Sequence, residues 1–424
     1  MNEQALAIWS SLMEHGTRCL GKESYAEAEK YFLQSAVLAK DLHVPEILAF
    51  NLRLLGTVRV RLGKLDLAEA GFHQALEICE QVQNYKGISE AKAGLASVAV
   101  LRGALEEAKE WYESSISVYP ASSTPLRLGM LYFDLGQVYA ALENWVKAFE
   151  AYEQARNLCQ RNQYFKGEGE LNVLLGEVCY RRGEKQMAQS FLRAACRLFL
   201  KIKESEALAN AFQYLAFLHY DMGEMEPARA SQQRAVVIWL RQGIQEDISE
   251  SCHFLSKIEQ SLGYHEEAKY HLDLSIKLYD KEDIGLALRY QSLAGIAVLQ
   301  MEFDQAEEIF LEALRIFEEF GDDLKSGEVL EALAYLAEIQ NREQEALEYH
   351  RRALAKQEEA ASPNLAAILK LGEFYEKRRN YFDALNFYWQ ALKLAHEDGQ
   401  EEERIEQMIQ RVSRRIRSRR ISWH

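Results

Sequence analysis

Apolar residues in this chain recur at helical spacing, and that helical pattern is itself repeated. Between positions 50 and 61, Leu52, Leu55 and Val58 fall on one face of a helix. Leu62-Gly63-Lys64 interrupts the pattern, and glycine suits the left-handed conformation in which many helices end. A second apolar stripe follows in Leu67, Ala68, Phe72, Ala75, Leu76 and Cys79. Together these residues predict two antiparallel helices joined by a tight turn, the first over roughly 50–61.

The same unit returns along the chain. Ala68 belongs to the series Ala28, Ala68, Ala108, Ala148, Ala188, Ala228, Ala268, Ala306, Ala346 and Ala384, in which seven steps are 40 residues and two are 38. Thirteen residues before each alanine, from the second repeat onward, stands a leucine: Leu55, Leu95, Leu135, Leu175, Leu215, Leu255, Leu293, Leu333 and Leu371. Gly, Ala or Ser follows each of them. Small residues at fixed places let neighbouring backbones approach, so the register predicts a stacked helical repeat with one continuous core.

Gly183, Gly223 and Gly263 repeat the turn, whereas repeats eight to ten place Met301, Arg342 and Arg379 or Asn380 there, which predicts less regular turns. Pro45, Pro125 and Pro363 precede first helices, with Thr124 and Ser362 as N-caps, and Pro227 falls in the first turn of a second helix. The stretch 119–125 reads as a local loop, because the 40-residue register runs through it.

The pattern Leu55-Gly56, Gly63, Ala68, Phe72, Ala75 resembles the tetratricopeptide repeat family. It recurs as Leu135-Gly136, Ala148, Tyr152, Ala155 and as Leu371-Gly372, Ala384, Tyr388, Ala391. The 40-residue unit is similar to the branch that includes G-protein-signalling modulators, kinesin light chains and bacterial peptide-sensing regulators. The resemblance implies an all-α, right-handed superhelical solenoid of about ten helix pairs over 1–398, with a capping helix and arginine-rich tail over 399–424. It also implies that first helices line a concave wall. The matching wall positions are Arg53 and Arg61 in repeat two and Glu170, Glu177, Tyr180 and Arg181 in repeat five. Repeat six supplies Asn210, Gln213, Phe217 and Tyr220, and repeat seven His253 and Lys257. Amide, aromatic and charged groups interleaved in this way suit an extended peptide or a helix.

Two charged features stand apart. Glu328, Glu331 and Glu338 fall on one helix face around Tyr335, and like charges so spaced oppose one another unless a cation is supplied, by a basic partner segment or by solvent. In the C-terminal helix, Arg411, Arg414, Arg415, Arg417, Arg419 and Arg420 occur within ten residues without an acid. Three roles compete for them: a soluble end of the cap; docking on an acidic groove of this chain or of a second copy, with Trp423 as anchor; or phosphate binding on nucleic acid or an anionic membrane.

The formal charge of −15 disfavours nonspecific nucleic-acid binding by the rest of the chain. The six cysteines form no Cys-x-x-Cys pair, and the start has neither a basic leader nor a long apolar run, so a reducing cytoplasmic setting is expected. Phosphate-loop, zinc-protease, EF-hand and serine-elbow motifs are absent from the sequence. His265 and His271 share one helix, which reads as a solvated face rather than a metal site. No cofactor or metal is expected. The expectation is a non-catalytic scaffold for a protein or peptide. A ligand-responsive adaptor that changes superhelix pitch and a self-assembling structural protein are the alternatives.

Overall fold

In the computed structural model of the 424-residue chain, residues 3–121, 123–359, 365–398 and 402–421 are described. These residues form 21 helices and no strand. They fall into two compact units, Met1–Glu224 and Met225–His424. Unit 1 opens with α1 (Glu3–Gly21), α2 (Tyr25–Asp41), α3 (Pro45–Arg61) and α4 (Leu65–Gln81). It continues with α5 (Tyr85–Leu101), α6 (Leu105–Val118), α7 (Pro125–Ala141) and α8 (Trp145–Arg161). It ends with α9 (Phe165–Arg181), α10 (Lys185–Ile202) and α11 (Ser205–Asp221). Unit 2 begins with α12 (Met225–Gln242), α13 (Gln245–Ser261), α14 (His265–Leu278), α15 (Ile284–Leu299) and α16 (Phe303–Glu319). Next come α17 (Asp323–Ile339), α18 (Glu343–Glu359), α19 (Leu365–Lys377), α20 (Tyr381–Asp398) and α21 (Glu402–Ile421). The architecture is an all-α helix-pair solenoid of about ten repeats with a C-terminal helix.

Each landmark of the sequence lies in the core. All ten period-setting alanines are fully buried, and the nine leucines upstream of them are buried as well. Where the residue after the leucine is glycine, a side chain of the paired helix fills the space. A Cβ on Gly56 would lie 2.7 Å from Phe72 Cζ, and one on Gly136 would lie 2.5 Å from the Tyr152 ring. Burying one such ring contributes about 1.5–3 kcal/mol, and the repeat multiplies that contact along each unit. The last helix closes unit 2: Ile405, Met408, Ile409 and Val412 pack with Ala384, Tyr388, Ala391 and Ala395 of α20.

The turns follow one design. Gly63 takes a left-handed φ of 71°, and the Lys64 amide donates to the Arg59 carbonyl at 2.9 Å, closing α3 in a Schellman motif. Gly183, Gly223 and Gly263 do the same. In repeats eight to ten the left-handed residue is Met301, Asn341 and Arg379. Asn341 therefore holds the position expected for Arg342, and Arg379 holds it rather than Asn380, in step with the repeat: 40 residues after Met301 and 38 after Asn341.

Other expectations need correcting. Helix α3 starts at Pro45, a full turn before position 50. Leu67 is 50% exposed, because it sits one residue, about 100° around the helix, from the buried Ala68. Thr124 is the N-cap residue of α7 but its side chain makes no capping bond, while Asn84, Asn144, Asp283 and Asp322 do cap their helices. Ser362 and Pro363 lie outside the described residues.

One irregularity occurs twice, four repeats apart. Helices α6 and α14 are cut to 14 residues and end on extended tyrosines, Tyr119 and Tyr279. In both, serine replaces the second small residue of the repeat and bonds a serine of the preceding helix: Ser89 Oγ to Ser115 Oγ at 2.9 Å and Ser249 Oγ to Ser275 Oγ at 3.2 Å. Each serine pair is fully buried, so the hydroxyls satisfy one another where water is excluded.

Candidate functional site

A groove of about 820 Å³ runs across α3, α5 and α7, the first helices of three successive repeats in unit 1. Because the repeat is 40 residues, each place in one helix has its counterpart beside it in the next. The rungs of the groove are Phe50, Glu90 and Met130; then Leu54, Gly94 and Asp134; then Thr57, Ser97 and Gln137; then Arg61 and Leu101. Phe72 and Tyr112 from the second helices close the floor. Phe50, Leu101 and Met130 are exposed within it, with Met130 at 56%.

Charge in the groove is uneven. Arg53 pairs with Glu90 across neighbouring helices and lies 5.5 Å from the centroid of the Phe50 ring. Its side chain is 12% exposed and its Nε has no partner; burial pulls its pKa down. Asp134 is half-buried and forms no hydrogen bond or ion pair among the described residues. Burial pushes its carboxyl up to about 6, a rise that Arg127 only partly offsets. Beneath it, Tyr112 exchanges a 3.1 Å bond with Ser97, and burial, reinforced by Asp134, lifts its hydroxyl to about 12. Of the charged groups that line the groove, only Arg53 and Arg61 stand among the wall positions expected from the sequence.

The other wall positions in unit 1 fall on the face of their helices that the core leaves uncovered. On α9, Glu177, Tyr180 and Arg181 lie along that face with the exposed Glu170. Tyr180 meets Phe217 of α11 edge to face at 5.7 Å, and Arg181 stands over the Trp145 ring at 5.9 Å. Asn210, Gln213 and Tyr220 share the face of α11 that carries Phe217, itself 46% exposed.

In unit 2, Lys257 is exposed on α13, but His253 is not a wall residue. It is 7% exposed and its Nε2 is unpartnered; burial, with the Lys257 and Arg289 charges, pushes its pKa down to about 3, which keeps the ring neutral. Arg289, which sequence inspection passed over, is 2% exposed. It binds Glu250 at 2.6 Å, Ser275 at 2.9 Å and the Gly285 carbonyl at 2.9 Å, tying α13, α14 and α15 together.

The acidic face of α17 finds cations within the chain. Glu328 pairs with Lys325 at 2.7 Å, Glu331 with Lys370, and Glu338 with His350 at 2.9 Å and Lys377 at 3.6 Å. The His350 hydrogen bond, helped by Lys377, holds Glu338 below the usual carboxylate range against the effect of its burial. Tyr335 stays 58% exposed.

The basic helix is likewise partly engaged. Arg411 grips Glu376 of α19 through Nε at 2.9 Å and Nη2 at 2.7 Å, Arg415 reaches it at 3.1 Å, and the Tyr388 hydroxyl donates to it at 2.9 Å. Burial opposes ionisation of Glu376, yet these donors together hold its pKa below the ordinary value. Arg414 and Arg417 are exposed. The side chains of Arg419 and Arg420, and Trp423 altogether, lie outside the described residues.

Among the described residues, no group of three or more His, Cys, Asp or Glu could hold a metal ion. No helix among them is long and apolar enough to cross a membrane. The cysteines are unbridged, and burial raises the thiols of Cys79, Cys159, Cys179 and Cys252 away from reactivity.

No curated protein sequence is matched by this chain. Solved structures do match in fold. A signal-transduction ATPase with a tetratricopeptide repeat sensor, from Pyrococcus horikoshii, aligns over 78% of this chain and 53% of its own at 16% identity, with a TM-score of 0.55. The C-terminal part of a repeat protein from Cytophaga hutchinsonii aligns over 63% of this chain and 95% of its own at 14% identity, TM-score 0.47. BtubC of P. vanneervenii covers 50% and 90% at 18% identity, TM-score 0.44. The tetratricopeptide repeat family model matches residues 46–121, 127–201 and 284–359, more than half of the sequence. Successive helix pairs, buried alanines in regular register and that match agree: the chain belongs to the tetratricopeptide repeat family.

Proposed function

We propose that this chain is a non-catalytic scaffold that holds an extended segment of another protein along the groove formed by α3, α5 and α7. The observation that supports it most is the groove itself. Successive first helices line it, apolar Phe50, Leu101 and Met130 stay exposed in it, and polar Thr57, Ser97 and Gln137 lie between them. Apolar side chains next to amides and hydroxyls suit a peptide, whose side chains seek burial while its backbone seeks hydrogen bonds. The surface of α9 and α11 around Tyr180 and Phe217 extends the same wall for a longer segment. The exposed Arg414 and Arg417 of the cap are a secondary contact for acidic or phosphate-bearing groups.

Selection from a display library of random twelve-residue peptides tests the groove. Binders should be lost on Met130→Glu and retained on Leu67→Glu, a substitution at an equally exposed leucine outside the groove. Failure to select any binder, or binders indifferent to Met130→Glu, would contradict the reading.

A further inference from the structure

We infer that the groove contains a pocket for one cationic side chain, a lysine or arginine of the bound segment, with Asp134 as its counter-ion. The inference rests on the peptide-groove reading and specifies what the groove selects. It starts from a break in the repeat. At the place of Gly94 every other repeat carries a side chain, among them Leu54, Leu174, Tyr214 and Phe254.

The glycine has a steric cause. A Cβ on it would stand 2.3 Å from Phe72 Cε1, because the Phe72 ring, already under Gly56, reaches on beneath the next repeat. Nothing therefore projects from α5 at the centre of the groove. The result is a notch with Phe72 and Tyr112 as its floor, Leu54 on one side and Asp134 on the other.

Asp134 is what makes the notch selective. A half-buried carboxylate without a hydrogen bond or ion pair is costly, and burial indeed raises its pKa. The cations nearby do not relieve it. Arg53 is committed to Glu90 and the Phe50 ring, and Arg127, seven residues earlier on the same helix, is felt at Asp134 but forms no ion pair with it. Arg61 lies at the groove margin, seven residues or about two turns beyond Leu54 of the notch on α3. A lysine or arginine from a ligand fits both halves of the notch: its aliphatic stem lies along Leu54 and the ring floor, and its head reaches the carboxylate. An acidic or purely apolar side chain leaves the carboxylate repelled or dry.

The test uses three pools of fluorescein-labelled nonapeptides, randomised except at the central residue, which is lysine, norleucine or glutamate. Fluorescence anisotropy with the full chain should rank the lysine pool at least tenfold tighter than the norleucine pool, with glutamate weakest. Asp134→Asn, close to isosteric, should abolish the difference between the lysine and norleucine pools; circular dichroism checks that the variant is folded. Equal binding of the lysine and norleucine pools, or a lysine advantage that survives Asp134→Asn, overturns the pocket but leaves the groove standing. Absence of binding by any pool overturns both.

Discussion

Replacing Asp134 by asparagine should make the protein more stable at neutral pH, which is unusual for a loss of charge in a folded protein. The carboxyl moves from an ordinary 3.8 to about 6 on folding, a rise of about two units caused by burial. At 1.36 kcal/mol per unit that is at most about 3 kcal/mol, and part exposure to solvent reduces it to about 1–2 kcal/mol. The sign follows from linkage: a carboxyl raised in the folded state favours folding in its protonated form. Its contribution is complete below about pH 4 and is lost as pH rises through about 6. The amide of the variant mimics the protonated acid. Urea unfolding of both proteins from pH 4 to 8 should therefore give equal stability at pH 4 and an advantage of about 1–2 kcal/mol for the variant by pH 7.5. Hydrogen exchange should place the gain in α5 to α8. A variant no more stable at pH 7.5, or equally advantaged at pH 4, would refute the claim that Asp134 is an uncompensated charge. Such a residue lowers stability in a place where a ligand could recover it.

Two further outcomes follow from the packing. Gly136→Ala should cost about 1–3 kcal/mol, because its Cβ would meet the buried Tyr152 ring at 2.5 Å, whereas Gly63→Ala, with no neighbour within 4 Å, should cost only the roughly 1 kcal/mol of left-handed backbone strain; thermal melts that rank them the other way would contradict the packing account. Glu376→Gln removes the carboxylate shared by Arg411, Arg415 and Tyr388, so hydrogen exchange of α21 should quicken about tenfold or more while that of α13 is unchanged; unaltered exchange in α21 would mean that apolar packing alone holds the cap.

The fold was legible because a repeat states its contacts many times over. Ala68 or Leu55 taken singly is an ordinary apolar residue, but series of ten alanines and nine leucines at a spacing of 40 or 38 residues identify the places where helices touch, and all of them are buried. Features that depart from the repeat were harder to read. Gly94 and Asp134 carry the groove because they break the pattern, and the signal available for them was a glycine at a place that elsewhere bears a side chain. His253 sits at a nominal wall position, yet the helix turns it into the core. Docking of the arginines on acidic groups of this chain was one expected role, but the individual pairs were not legible. Glu331 meets Lys370 and Glu376 meets Arg411, partners 39 and 35 residues away that become neighbours only when repeats stack.

The central claim concerns one surface, and hydrogen exchange of the full chain with and without a saturating peptide chosen from the display library addresses it most directly. The account predicts slowed exchange in α3, α5 and α7, with the amides of α4 and α8 unchanged away from their contacts with those helices. Protection centred on second helices, or on the α17 and α21 surfaces with none in α3, α5 and α7, would contradict it.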